Sequence, residues 1–167
     1  MRNYIKFIII YLFFHKGSIF YFTIPYKTSL IEKITENKII DFGEKFSWVD
    51  KHVLIVEDIN LVYEYIKEIL EPTQVICIHA KDGKEAIHLC KINPHIDIVL
   101  MDIQLPHMNG YEATKIIKRL RPELPVIAQT AFAIIGDKQK ALDAGCDDYI
   151  TKPINKKLLY EKISKLL

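Results

Sequence analysis

The stretch Ile96-Asp97-Ile98-Val99-Leu100-Met101-Asp102-Ile103-Gln104-Leu105-Pro106-His107-Met108-Asn109-Gly110 decides the fold of this chain. A short apolar run followed by turn residues reads as a buried strand. It delivers one carboxylate, Asp102, to the strand's carboxyl end. In open parallel α/β sheets, ligands sit outside the carboxyl ends of the strands, near the point where strand order reverses. Asp102 therefore stands where chemistry is done, not where a core is packed.

Three further apolar runs end in groups that such a carboxylate can use. Val53-Leu54-Ile55-Val56 runs into the adjacent acids Glu57-Asp58. Pro125-Val126-Ile127-Ala128-Gln129 ends in Thr130, and Tyr149-Ile150-Thr151 ends in Lys152-Pro153. If these strands are parallel neighbours, three carboxylates, a hydroxyl and an amine converge on one rim.

From Lys51 onward strand-like and helix-like patterns alternate, which predicts βαβ units and a mostly parallel sheet. Asn60 is expected to cap a helix reaching about Glu71, with Val62, Tyr65, Ile66, Ile69 and Leu70 as its apolar face. Val75 to Ile78 is the second strand, and Gly83 to Ile92 a helix with Ala86, Ile87 and Cys90 inward. The helix from Tyr111 to Leu120 should bury Ala113, Ile116, Ile117 and Leu120 before Arg121-Pro122 stops it. A fourth runs from about Ile135 to Ala144 and ends at Gly145, suited to a left-handed C-terminal residue. The last, roughly Asn155 to Leu166, places Leu159, Ile163 and Leu166 under a lysine-rich face. Five strands and five helices make a complete small α/β domain.

Length and charge bound the function. A chain of 167 residues allows one ordinary domain plus an extension. From Val53 onward it carries 15 basic and 16 acidic residues, and before that 8 against 5. The domain is near neutral, with no sign of a nucleic-acid surface. Cys77, Cys90 and Cys146 form no Cys-x-x-Cys pair and read as reduced thiols of a cytoplasmic protein, with metal or disulfide use a distant second. His79, His88, His95 and His107 read as surface or half-buried residues outside any metal-binding or phosphodonor motif.

The stretches Val53-Leu54-Ile55-Val56-Glu57-Asp58, Met101-Asp102-Ile103-Gln104-Leu105-Pro106, Thr130-Ala131 and Tyr149-Ile150-Thr151-Lys152-Pro153 together resemble the receiver domain of bacterial response regulators, from about Lys51 to Leu167. The resemblance implies a doubly wound, flavodoxin-like sheet of strand order 2-1-3-4-5. It implies that Asp102 is a phosphoacceptor for a phosphohistidine donor, a sensor kinase or phosphotransfer protein. Mg²⁺ would be held directly by Asp58 and Asp102, by Glu57 through water, and by the backbone carbonyl of Gln104. Lys152 would pair with Asp102 and then with the phosphoryl group, and Thr130 would bond another phosphoryl oxygen. Tyr149 matches the family's switch aromatic, which turns inward as Thr130 moves and alters a protein-binding face of the last two helices. A cis Lys152-Pro153 peptide is common in the family. Such a domain is a signalling module and not an enzyme in the ordinary sense.

Residues 1–27 differ in character. Tyr4 to Phe14 is apolar apart from Lys6, and Gly17 to Pro25 resembles the final strand of a sensor histidine kinase ATP-binding domain. Residues 28–50 would then be a linker, with a short helical hint at Ile31 to Ile34, and 51–167 the receiver, the order found at the end of hybrid kinases. The remaining kinase motifs are absent before Gly17, so an autonomous kinase is not expected, and the chain reads as the tail of a truncated hybrid kinase or as a gene that lost its upstream part. The chain ends after its last helix, so output is expected through protein contacts or onward phosphotransfer. A membrane segment or a signal peptide is the rival reading of Tyr4 to Phe14, but eleven residues with a lysine are too few for about 30 Å of hydrocarbon, and no small-residue cleavage site follows.

Singly, each site residue has a plainer reading: Asp58 as a helix cap, Thr130 and Lys152 as loop residues, Tyr149 as core. Two rival functions remain. A degenerate hybrid-kinase fragment would keep the fold only as an interaction module. A haloacid-dehalogenase-like phosphatase also uses a strand-end aspartate and Mg²⁺, but it wants a second aspartate where this chain has Gln104.

Overall fold

The computed structural model describes residues 46–131 and 135–167, with 135–138 by backbone only, and the backbone of four short N-terminal strand segments. The chain divides into two compact units, residues 1–40 and 41–167.

In the second unit the strands are β1 (His52–Val56), β2 (Ile76–Ala80), β3 (Ile96–Asp102), β4 (Val126–Thr130) and β5 (Asp148–Thr151). The helices are α1 (Asn60–Leu70), α2 (Gly83–Ile92), α3 (Gly110–Leu120), α4 (Ile135–Asp143) and α5 (Lys156–Leu166). All neighbouring strands are parallel, in the order β2-β1-β3-β4-β5. This is the doubly wound sheet the resemblance implied, with β1 and β3 adjacent at the switch point.

Because side chains alternate along a strand, each strand feeds two cores. Val53 and Ile55, Ile98 and Leu100, Ile127 and Ile150 pack with α1 and α5 through Ile66, Leu70, Leu159 and Ile163. Leu54 and Val56, Val99 and Met101, Val126 and Ala128 pack with α2, α3 and α4 through Ala86, Cys90, Ala113, Ile117 and Ala141. Burial on both faces explains the unbroken apolar runs.

Local chemistry sets the helix ends. Asp82 accepts the Glu85 backbone N–H at 2.9 Å while the Glu85 carboxylate reaches back to the N–H of Lys81, a variant of the capping box. Asn109 and Asn155 cap α3 and α5 through their side-chain oxygens, which accept the backbone N–H groups of Tyr111 and Leu158. Gly145 follows α4 at φ +90°, as expected of a residue with no Cβ. Gly110 is required for a different reason, since a Cβ there would lie 2.1 Å from the carbonyl oxygen of Asp102.

Four expectations are corrected. Ile59, not Asn60, occupies the cap position of α1, and Asn60 is the first helical residue. On that helix Tyr63 is buried and Tyr65 is half exposed, because the ring of Tyr63 stacks on His79 from β2. Leu120 is 46% exposed at the end of α3, and Thr114 takes the inward place, bonding the Gly110 carbonyl. Within the segment read as linker, Trp48 is buried: it packs edge-on against Tyr160 of α5 with Phe46 beside it, and its backbone N–H donates to the Thr73 carbonyl.

In the first unit Ile5–Ile8 pairs antiparallel with Phe22–Pro25, and Leu12–Phe13 with Gly17–Ser18. The linker from residue 28 to 45, with its helical hint at 31–34, lies outside the described residues. No helix among the described residues is long and apolar enough to cross a membrane.

Candidate functional site

The rim formed by the ends of β1, β3, β4 and β5 gathers the residues singled out from the sequence. Glu57 directly follows β1 and is fully buried; Asp58, one residue on, is exposed. Asp102 ends β3 and is 4% exposed. One carboxylate oxygen from each of the three lies within 4.8 Å of the others. The carboxylates of two neighbouring strands thus meet across the switch point.

Lys152 enters this cluster from just beyond β5. Its ammonium donates to Asp102 Oδ2 at 2.6 Å and to Glu57 Oε2 at 2.7 Å. The second oxygen of Asp102 accepts the Gln104 N–H at 3.0 Å, and the second oxygen of Glu57 accepts the Ile59 N–H at 3.3 Å. Burial pushes the Glu57 carboxyl above its ordinary value, and the Lys152 ammonium opposes that rise. Burial would lower Lys152, yet the bonds to Asp102 and Glu57 outweigh it and hold the ammonium above its usual value. One positive charge thus faces three acids, a surplus of negative charge in a half-enclosed space.

The donor set fits a hard divalent cation. Mg²⁺ takes oxygen ligands, keeps several waters and needs only one or two carboxylates. The cluster offers three carboxylates of graded exposure, and Asp58 has no hydrogen-bond partner among the described residues.

Thr130 ends β4 and is buried on the same face of the sheet as Val126 and Ala128. Tyr149 lies beside Ala128 in register and is half-buried in that core, with the Lys162 ammonium 5.4 Å from its ring centre. The Lys152 backbone N–H donates to the Thr130 carbonyl, and the Lys152-Pro153 peptide is cis. Gln104 is exposed, just past Asp102.

Two residues at this rim were not found in the sequence. His79, at the end of β2, lies with its Nε2 2.8 Å from the Glu57 carbonyl oxygen. Gln129 stands beside Asp102 in register and is fully buried, and neither amide atom has a protein partner among the described residues. A polar residue within an otherwise apolar strand, as Gln129 is, was the available signal; for His79 nothing local pointed to Glu57.

Fold and rim together define a doubly wound α/β domain with a cluster of three carboxylates and, among the described residues, one lysine at its switch point. Residues 53–164 match the response regulator receiver domain family, and the chain belongs to it. Over 124 residues it is 43% identical to hybrid signal transduction histidine kinase I of Dictyostelium discoideum, covering 70% of this chain but 7% of that protein. It is 41% identical over 120 residues to the polar-differentiation response regulator DivK of Brucella ovis, covering 70% of this chain and 96% of DivK. Among solved structures, the receiver domain of sensor histidine kinase PA1611 from Pseudomonas aeruginosa PAO1 aligns with a TM-score of 0.64 at 30% identity, over 70% of this chain and 96% of that one. That structure holds a magnesium ion coordinated in its active-site cleft. The chain is thus a receiver domain of two-component signalling with an acidic pocket.

Proposed function

We propose that Asp102 accepts a phosphoryl group from a phosphohistidine protein, with Mg²⁺ held by Asp58 and Asp102 directly, by Glu57 through water and by the Gln104 carbonyl. The observation that carries this reading is the cluster of three carboxylates within 4.8 Å under one lysine. When bound, the cation would spread over the transferring oxygens and offset the charge that the acids leave unbalanced. A carboxylate oxygen of Asp102 bonds to phosphorus as the P–N bond of the donor breaks, and the departing electron pair stays on the imidazole nitrogen. Lys152, already on Asp102 Oδ2, moves its ammonium to a phosphoryl oxygen. The Thr130 hydroxyl serves another.

Thr130 and Tyr149 share one face of the sheet beside α4, and this supports their reading as a switch. Movement of Thr130 toward the phosphoryl group opens space for the Tyr149 ring, and the face built from β5 and the last two helices changes its affinity for a protein partner. The phosphoryl group must favour one of the two packings for this to work. The free thiols Cys77, Cys90 and Cys146 fit the reducing cytoplasm. The kinase-strand reading of Gly17 to Pro25 rests on sequence likeness alone, and the strand Phe22–Pro25 is compatible with it.

The haloacid-dehalogenase reading wants a second acid where this chain has Gln104, and the family match is to receiver domains. The test is incubation of the full chain with acetyl phosphate, with and without Mg²⁺, followed by intact mass. A phosphate adduct that needs Mg²⁺ and vanishes in Asp102→Asn is expected. A folded chain that takes no adduct would leave it an interaction module only.

A further inference from the structure

Glu57 is held at four points. Its N–H donates to the Ala80 carbonyl at 3.0 Å, and its two carboxylate oxygens accept from Ile59 and Lys152. The fourth contact is His79 Nε2, 2.8 Å from the Glu57 carbonyl oxygen. A carbonyl only accepts, so that ring nitrogen carries the hydrogen and donates. The ring is itself fixed: Tyr63, on the first turn of α1, stacks on it with centroids 3.8 Å apart and planes 5° from parallel.

The Glu57 carbonyl belongs to the rigid peptide plane that leads into Asp58. Whatever fixes that oxygen fixes the placement of the Asp58 N–Cα bond, and so narrows the directions its side chain can take. Asp58 needs such help, because it is exposed and its carboxylate has no hydrogen-bond partner of its own among the described residues. Without the His79 bond, the peptide plane could rotate while Glu57 stayed anchored through its carboxylate.

We propose that His79, braced by Tyr63, is a positioning residue for the divalent cation site: its hydrogen bond to the Glu57 carbonyl orients the Glu57-Asp58 peptide so that the Asp58 carboxylate faces Asp102. This rests on reading Glu57, Asp58 and Asp102 as the Mg²⁺ site. Partners that orient metal ligands are worth roughly 10–100-fold in affinity. Acting through a backbone carbonyl, His79 belongs at the lower end of that range.

The experiment is calorimetric titration of Mg²⁺ into the full chain, with unfolding midpoints recorded without the ion. His79→Phe keeps a ring for Tyr63 to stack on but removes the donor; it should bind Mg²⁺ about tenfold more weakly with little change in the midpoint. His79→Gln returns an N–H at a similar reach and should recover most of that loss. Wild-type affinity in His79→Phe overturns the assignment, and so does a His79→Gln variant as weak as His79→Phe. Asp58→Asn separates the two levels of the argument. If it binds Mg²⁺ like the wild type, the site itself is misread; if it loses binding while His79→Phe does not, only the role of His79 falls.

Discussion

Replacing Lys152 with methionine keeps an unbranched stem and removes the ammonium that bridges Glu57 Oε2 and Asp102 Oδ2. Both carboxylates are almost wholly buried, and the lysine side chain is 25% exposed, so solvent screens the cluster only in part. Two unit charges no more than 4.8 Å apart repel by at least about 3.5 kcal/mol at an effective dielectric of about 20. Leaving a buried charge without its partner typically costs about 3–5 kcal/mol. The expected loss for Lys152→Met is therefore about 3 kcal/mol at about pH 7.5 without Mg²⁺.

The sign of its pH dependence follows from Glu57. Its folded-state carboxyl lies above the ordinary value of 4.5, chiefly through burial, so its favourable contribution is present below 4.5 and is lost as pH rises through the folded value. Lys152 restrains that rise, so removing it moves the folded value higher still. Protonation then relieves the variant more than the wild type, and the gap between them should narrow at about pH 5 and widen toward neutrality. Mg²⁺ at neutral pH should narrow it as well. Urea unfolding followed through Trp48, the single tryptophan and part of the core, reads the difference directly. A loss under about 0.5 kcal/mol, within the range of ordinary surface changes, or one equal at both pH values, would refute the claim that the lysine neutralises buried charge.

Other residues give further tests. Gly110→Ala should cost more than about 4 kcal/mol or prevent folding, because the new Cβ meets the Asp102 carbonyl oxygen, while Gly83→Ala meets chiefly side-chain atoms of Ala113 and Met108 and should be milder; thermal melts compare the two. Trp48→Ala should cost about 3–5 kcal/mol, and a near-zero effect on the urea midpoint, followed by far-ultraviolet circular dichroism, would put residue 48 outside the folded unit. Burial pushes the thiols of Cys77, Cys90 and Cys146 up to about 11, so a disulfide reagent at neutral pH should modify them slowly in the native chain and fully after unfolding.

The strands and their terminal groups were legible because burial on both faces writes itself as apolar runs, and the polar residue that breaks each run marks the rim. Glu57 and Asp102 close their runs directly, while Thr130 and Lys152 follow one residue later, after Gln129 and Thr151. What stayed hidden depends on contacts between distant elements. Helical periodicity accommodates either Tyr63 or Tyr65, and only the partner ring of His79 on β2 selects Tyr63. Trp48 in a polar stretch looks like linker until Tyr160 of α5 is seen beneath it. Leu120 sits at the right spacing to be buried, yet Thr114 is buried because its hydroxyl satisfies the Gly110 carbonyl one turn back. The strand order came from the family resemblance, since alternation alone is compatible with several.

The central claim is that Asp102 is the phosphoacceptor. It is tested most directly by phosphorylating the full chain with Mg²⁺ and acetyl phosphate, reducing with borohydride, and sequencing the peptides by mass spectrometry. An acyl phosphate at Asp102 would appear as homoserine at position 102 and nowhere else. Homoserine at position 58, or none at position 102 in a chain that has taken phosphate, would contradict the account.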